Sequence, residues 1–338
     1  MFGSGIWLWE NGLKTLQLLG AYEAATARAR HVKEWRIADG SGATLYSKSL
    51  EGRDRLLLPP RADLYQALID RATAAGVHVS TSSVVASVRP EGVLVLEGGE
   101  QRPADLVVVA DGAYSRLREN IMATAWSDMG TEGGFRLLVP AEPDDPTDII
   151  TEYWSGHWRV MFNPCTDGEN YIYLGGPVND ARGRAVPIDP AFWRERFPGA
   201  GEMFSRVGQV SRWDRIVNMR TRLWADGHIA ILGDAANAMP PNLGQSANMA
   251  FSNAMALAMA VTAGSDVPGS LRAWEARQRP LTDHVQHWSY VYGLILGRWP
   301  ASIMPLRSDL MRMLGKMEWF DEGICRGARH VPEGSALF

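Results

Sequence analysis

The 338-residue sequence has only two cysteines, Cys165 and Cys325. Two cannot build a disulfide framework, and they fit a reducing cytoplasm where thiols stay free. Its seven histidines show no metal-ligand spacing, so no metal site is expected. No apolar run reaches the roughly eighteen residues of a membrane-spanning helix, and the first residues lack the basic-then-apolar order of a secretory leader. Basic runs are missing too, and the formal net charge of −4 argues against nucleic acid as the main partner. A G-x-G-x-x-G fingerprint is also lacking. Gly3-Ser4-Gly5 begins like one, but no strand precedes it and Leu8 stands where the third glycine belongs.

What is present is the composition of a soluble globular protein, 46% apolar and 21% charged. The length allows one large or two ordinary domains with a substantial core. Thirteen tryptophans are many, and core and interface packing accounts for most of them.

Hydrophobic periodicity sorts the chain into layers. Residues 13–20 read as a helix stopped by Gly20. Residues 61–75 read as a better one, with Leu64, Ala67, Leu68 and Ala72 on one stripe and Gly76 just past its end. Residues 77–88 and 93–97 alternate as half-buried strands, and 106–110 form a short apolar strand. From about residue 125 come FRLLVP, DIITEYW, HWRVMFNP and NYIYLGG, short alternating segments between Asp, Pro and Gly clusters, which predict an antiparallel sheet. Residues 192–197 return through a short helix. Residues 271–290 form a long helix that Pro280 should break or kink. The tail spaces Met304, Leu306, Leu310, Met311, Met313 and Leu314 helically, a stripe for core packing, domain capping or dimerisation.

Two strand-to-helix turns carry the functional signal. Residues 228–260 read HIAILGDAANAMPPNLGQSANMAFSNAMALAMA: a buried strand, the turn Gly233-Asp234, a Pro-Pro-Asn-Leu-Gly loop, then a small-residue helix. A carboxylate there can accept from a ribose hydroxyl, and free N–H groups at the helix start favour negative charge. An ordinary Asp-capped turn reads the same way. Residues 104–118, ADLVVVADGAYSRLR, give strand, Asp111-Gly112 turn and helix start. Together, in that order and more than a hundred positions apart, the two are far more specific than either alone.

On these motifs the chain resembles the flavoprotein aromatic hydroxylases typified by p-hydroxybenzoate hydroxylase. The ordered segments FGSGIWLWENGLKTLQLLGAYE, GGFRLLVP, WRVMFNPC, VPIDPAFW and LRAWEARQRPLTDHVQ narrow the resemblance to 2-methyl-3-hydroxypyridine-5-carboxylate oxygenase and its relatives, over residues 2–290. The resemblance implies an α/β fold: a Rossmann-like FAD/NAD(P)-binding domain with an inserted antiparallel β-sheet substrate domain and C-terminal helices. The implied division is 1–122 and 216–290 for the two parts of the FAD-binding domain, 123–215 for the substrate sheet and 291–338 for a helical tail. That family opens with a βαβ unit of about 30 residues carrying G-x-G-x-x-G, which this sequence has already passed at Met1; an upstream start codon is the expectation.

The resemblance also assigns roles. Cofactor contacts fall on Arg61, Asp111, Gly112, Gly233, Asp234, Gly244, Gln245, Ser246, Ala247 and Asn248. Arg61 is otherwise a solvated helix-end arginine. Ser246 and Asn248 stand where relatives carry glycine, and Ser246 can instead be an N-cap. Substrate contacts fall on Trp7, Arg136, Arg159, Tyr173 and Pro241. Trp7 replaces a tyrosine, and Tyr171 competes with Tyr173 for the matching position. Pro241 offers a backbone carbonyl to a substrate hydroxyl, or simply stiffens a turn. Arginines on an apolar sheet need anionic partners, either a protein carboxylate such as Glu152 or a substrate carboxylate; Arg159 is read towards the substrate.

The implied activity is a FAD-dependent monooxygenase that hydroxylates an aromatic or N-heteroaromatic, acidic ring with O2 and NAD(P)H through a flavin C4a-hydroperoxide; the cysteines fit a cytoplasmic protein, and the tail stripe leaves room for a homodimer. Two alternatives stand beside it: a non-catalytic flavoprotein remnant binding a small ligand or partner, and a flavin-dependent isoprenoid reductase, which shares both motifs.

Overall fold

A computed structural model of the chain describes residues 3–121, 124–128, 130–208, 211–297 and 299–334. Nine strands matter to the site: β1 (Glu34–Asp39), β2 (Thr44–Ser49), β3 (Val107–Val109), β4 (Glu132–Pro140), β5 (Ile149–Ser155), β6 (Trp158–Pro164), β7 (Glu169–Pro177), β8 (Trp213–Arg215) and β9 (Ile229–Ile231). Four helices frame them: α1 (Glu10–Leu18), α2 (Arg61–Ala74), α3 (Ser246–Ala263) and α4 (Val267–Gly297).

Seven strands form one sheet in the order β8-β4-β7-β6-β5-β1-β2. It is antiparallel except where β5 runs parallel to β1. The last two strands thus come from residues 34–49, ahead of the 123–215 segment. Alternation gives the sheet two different faces. Phe135, Leu137, Val160, Phe162, Ile172 and Leu174 point one way and bury against Phe192, Trp193, Phe197 and Phe204. Their neighbours in sequence, among them Arg136, Arg159, Met161, Tyr171 and Tyr173, take the other face.

The acidic turns belong to a second layer. Strands β3 and β9 pair in parallel, Val107 opposite Ile229 and Val109 opposite Ile231, and their apolar side chains pack with Leu257 of α3 and Trp274 of α4.

Two expectations need correction. Within residues 77–88 only Val85–Arg89 is a strand, and Val77, Val79 and Val84 are exposed. Alternation makes a strand only where a neighbouring strand takes its hydrogen bonds; Val77 instead donates back to the Ala72 carbonyl and closes the end of α2. Of the two outcomes expected at Pro280, a break or a kink, the break is the one ruled out: the long helix runs unbroken for 31 residues. Its side chains are anchored along most of its length, so packing outweighs the one lost backbone donor.

The tail docks through Met311 and Leu314, both buried in the main core. A charged cluster fastens it. Lys48 Nζ lies 2.9 Å from Asp54, 2.9 Å from Cys325 Sγ, and also against Asp321, while Arg329 binds both carboxylates. Burial alone would raise the Asp54 and Asp321 carboxyls, but hydrogen bonds from Arg329 and Lys48 outweigh it and hold both below the usual range. Carboxyls depressed in the folded state stabilise it above their unfolded values, near 4, and cease to do so as pH falls through the depressed values. The tail should therefore become protease-sensitive at pH 3 and remain resistant at pH 6. Limited proteolysis at the two pH values checks this.

Candidate active site

Parallel pairing brings the two acidic turns together. Leu232 N–H donates to the Val109 carbonyl at 2.9 Å, so β3 and β9 end at one level. Asp111-Gly112 and Gly233-Asp234 follow there, with Gly112 at φ +92° and Gly233 at φ +63°. Carboxyl ends of parallel strands are where open α/β sheets hold ligands. A cleft of about 530 Å³ opens at this point and is roofed by the arginine-bearing sheet face.

Most of the expected site residues line this one cleft. On the strand-end side are Arg61, Gly112, Gly233, Asp234, Gly244, Ser246 and Ala247; on the sheet side, Trp7, Arg136, Arg159, Tyr173 and Pro241. Three do not line it. Asp111 is exposed between Ala110 and Gly112, which do. Gln245 is buried and donates to the Ile324 carbonyl at 2.6 Å, pinning the tail. Asn248 is a structural clamp: its Oδ1 accepts from Trp9 N–H at 3.0 Å, and its Nδ2 donates to the Trp7 and Gly244 carbonyls at 2.9 and 3.0 Å.

Ser246 is not an N-cap. It opens α3 as the first helical residue, after Gln245, and its Oγ donates to Asp234 Oδ1 at 2.8 Å. No side chain caps the helix, so its leading N–H groups face the cleft edge uncapped. A Cβ added at Gly112 would meet nothing within 4 Å, and one at Gly233 only Ala250 at 3.7 Å. The backbone there is open to a bound group.

Between the halves lies a stiff loop. Pro241–Leu243 is a 3-10 turn in which the Pro241 carbonyl accepts from Gly244 N–H at 3.1 Å. Helix α4 holds the loop from behind: Gln286 donates to the Ala238 carbonyl at 2.8 Å and Ser289 to that of Pro240 at 2.6 Å. Gly244, at φ +62°, is required for contact as well as conformation, because a Cβ there would come 2.5 Å from the Trp7 ring.

The sheet side is polar only at chosen points. Trp7 Nε1 donates to Asn163 at 2.9 Å, and Asn163 donates to the Tyr171 carbonyl. Burial pushes the Tyr171 phenol up, against the pull of Arg136. Tyr173 lies across a cross-strand glycine pair, Gly134 and Gly175, where any Cβ would meet its ring within 2.6 Å. Arg159 and Arg136 stand over that ring at 4.9 and 5.6 Å from its centroid. The Tyr173 hydroxyl is buried without a hydrogen-bond partner. Arg159 is 2% exposed, and its Nη1 is 3.6 Å from Glu152 Oε1, too far for a hydrogen bond. Burial opposes the guanidinium's charge, yet Tyr173, Glu152 and Glu132 outweigh it and hold the arginine charged. Arg136 is half-buried, 3.7 Å from Asp214.

Sequence reading missed Ser4, Gly5, Ile6, Met161, Asn163, Ala250, Phe251 and Ala254 in the lining. A signal existed for several. Met161 and Asn163 follow Arg159 at a spacing of two on β6, and Ala250, Phe251 and Ala254 follow Ala247 at helical spacing.

Two left-handed glycines, a carboxylate and an uncapped helix start suit a cofactor with sugar hydroxyls and phosphates. Residues 11–289 match the sequence profile described as FAD binding domain. The chain belongs to this FAD-binding family. A probable 2-heptyl-3-hydroxy-4(1H)-quinolone synthase of Rhodococcus erythropolis is 34% identical over 323 residues, 93% of this chain and 83% of that protein. The 6-hydroxynicotinate 3-monooxygenase of Bordetella bronchiseptica is 27% identical over 85% of this chain and 81% of its own length. Among solved structures, the tetrameric form of 2-methyl-3-hydroxypyridine-5-carboxylic acid oxygenase superposes with a TM-score of 0.85 at 31% identity, covering 98% of this chain and 87% of that one. The fold is the expected α/β FAD-binding architecture, and the protein is a flavin-dependent monooxygenase with FAD as cofactor and NAD(P)H as the electron donor typical of its family. Among the described residues no helix is long and apolar enough to cross a membrane.

Proposed function

We propose that this flavoenzyme hydroxylates an aromatic or N-heteroaromatic ring seated between the Pro241 loop and the Arg159 face of the sheet. One observation carries the reading. Arg159 Nη1 and the Tyr173 hydroxyl are buried beside the cleft with no hydrogen-bond partner, as groups kept for a ligand would be. An isoprenoid chain would leave both unsatisfied.

FAD, reduced by NAD(P)H, supplies the oxygen-activating chemistry when bound. The chain's part is holding and placement. Asp234, steadied by Ser246, would accept from the cofactor's sugar hydroxyls. The leading N–H groups of Ser246 and Ala247, uncapped at the cleft, would stabilise negative charge on the cofactor without reorganisation. Arg61 and Gly112, which line the cleft, would hold its pyrophosphate, where charge and an open backbone are both needed, and Asp111 would stand just outside. Across the cleft, Arg159, Arg136 and Tyr173 donate to oxygen substituents of the ring. The Pro241 carbonyl keeps a lone pair for a ring hydroxyl beyond the one used by Gly244. Trp7, Met161 and Phe251 exclude water.

Arg159→Ala should raise the KM for the ring substrate at least tenfold, the scale of one lost charge-assisted hydrogen bond, and leave flavin content per protein unchanged. Steady-state kinetics beside the flavin absorbance ratio measures both; parallel loss of the two would contradict a substrate role. We also propose a homodimer, formed by apolar side chains left exposed on the tail such as Leu306, Met313 and Trp319, which light scattering checks. The two free, buried thiols agree with a cytoplasmic setting.

A further inference from the structure

Behind the Arg159 wall of the cleft lies a carboxylate that the proposed ring chemistry does not use. Glu152 is fully buried on β5, on the same sheet face as Arg159. Its Oε2 accepts from the Tyr292 hydroxyl of α4 at 2.8 Å. Its Oε1 faces Arg159 Nη1 at 3.6 Å, and neither of those two atoms has a hydrogen bond. The pair is balanced in charge but unsatisfied in hydrogen bonding.

Such a pair discriminates among ligands. A guanidinium whose charge is already matched can still donate N–H to an uncharged oxygen. It cannot neutralise a second carboxylate brought beside the first in a site closed to water, where two like charges repel strongly. Resting on the reading of this cleft as the ring site, we infer that Glu152 is a specificity-determining residue: it takes up the charge of Arg159, so the buried end of the cleft accepts a neutral ring oxo or hydroxyl group and disfavours a permanently ionised carboxylate. Tyr292 is the positioning residue, since its hydroxyl fixes the other carboxylate oxygen. An ionised substituent is left to half-buried Arg136, whose partner Asp214 at 3.7 Å is itself partly exposed to water.

The test is calorimetric titration of the FAD-loaded protein at pH 7 with rings matched except for one carboxylate. The pairs are 3-hydroxypyridine against 5-hydroxypyridine-3-carboxylate, and 4(1H)-quinolone against its 6-carboxylate. Wild-type protein should bind the neutral member of each pair more tightly. Glu152→Gln keeps an acceptor for Tyr292 but removes the charge. It should move the preference towards the carboxylate by about tenfold or more, the effect of one charge a few ångströms away. A purely structural role would change both affinities together and leave their ratio alone. Preference of the wild type for the carboxylate, or an unchanged ratio in Glu152→Gln, overturns the inference. The wild-type arm decides even if the variant fails to fold. Binding of none of the four rings to wild type overturns the ring-site reading, and the inference falls with it.

Discussion

Asp234→Ala protein should purify nearly colourless. Asp234 sits at the end of β9 on a left-handed glycine, lines the cleft, and has one carboxylate oxygen engaged by Ser246. Its remaining acceptor positions face the space that FAD's hydroxyls would occupy. Hydrogen bonds to a charged acceptor contribute about 1.5–3 kcal/mol each, so losing the carboxylate should weaken FAD binding some tenfold to a hundredfold or more. The residue is exposed in the chain, so folding should survive. The flavin-to-protein absorbance ratio after dialysis, with circular dichroism as the folding control, measures the effect. Full retention of yellow colour would remove Asp234 from the cofactor site. Ser246→Ala should lose less, because it removes only a group that steadies the carboxylate.

Asn248→Ala should act on stability. Its side-chain amide satisfies three backbone groups, N–H of buried Trp9 and the carbonyls of buried Trp7 and half-buried Gly244, and it is itself fully buried. Truncation strands all three and opens a small void. At about 1–3 kcal/mol for each of the two fully buried groups left unpaired, the loss is at least about 2 kcal/mol. Thermal unfolding should fall by several degrees or more, and flavin content should fall with it as the Trp7–Gly244 contact loosens. Asn248→Gly leaves the same groups unpaired and should be equally harmful here. Gly12 on α1 shows how closely the amide is fitted, since a Cβ there would meet Asn248 Oδ1. A wild-type melting temperature in Asn248→Ala would refute the clamp.

Much of this was legible in the sequence for identifiable reasons. Strands β3 and β9 are short β-branched or aliphatic runs ending in Asp-Gly and Gly-Asp, and a turn of that kind can be read locally. The seven-stranded sheet announced itself by alternation, which also set Arg136, Arg159 and Tyr173 on one face. Partners distant in sequence were another matter. Nothing local tells that Asn248 reaches back to Trp7 and Trp9, or that Ser246 binds Asp234 in place of capping a helix. Glu152 was visible as one of two candidate partners for Arg159, but only the fold shows that it also holds Tyr292, 140 positions away. The first part of the strand predicted for residues 77–88, up to residue 84, failed likewise, because periodicity describes one strand and says nothing about its neighbour.

Helix α4 carries a consequence of its own. One rod grips the Pro240 carbonyl through Ser289 and, within one turn further along, Glu152 through Tyr292. Cofactor-side loop and ring-side carboxylate are therefore geared to a single shaft. A substitution that slides or rotates it will shift both walls at once, so new substrate preferences are more readily acquired by exchanging side chains on the sheet than by remodelling the helix.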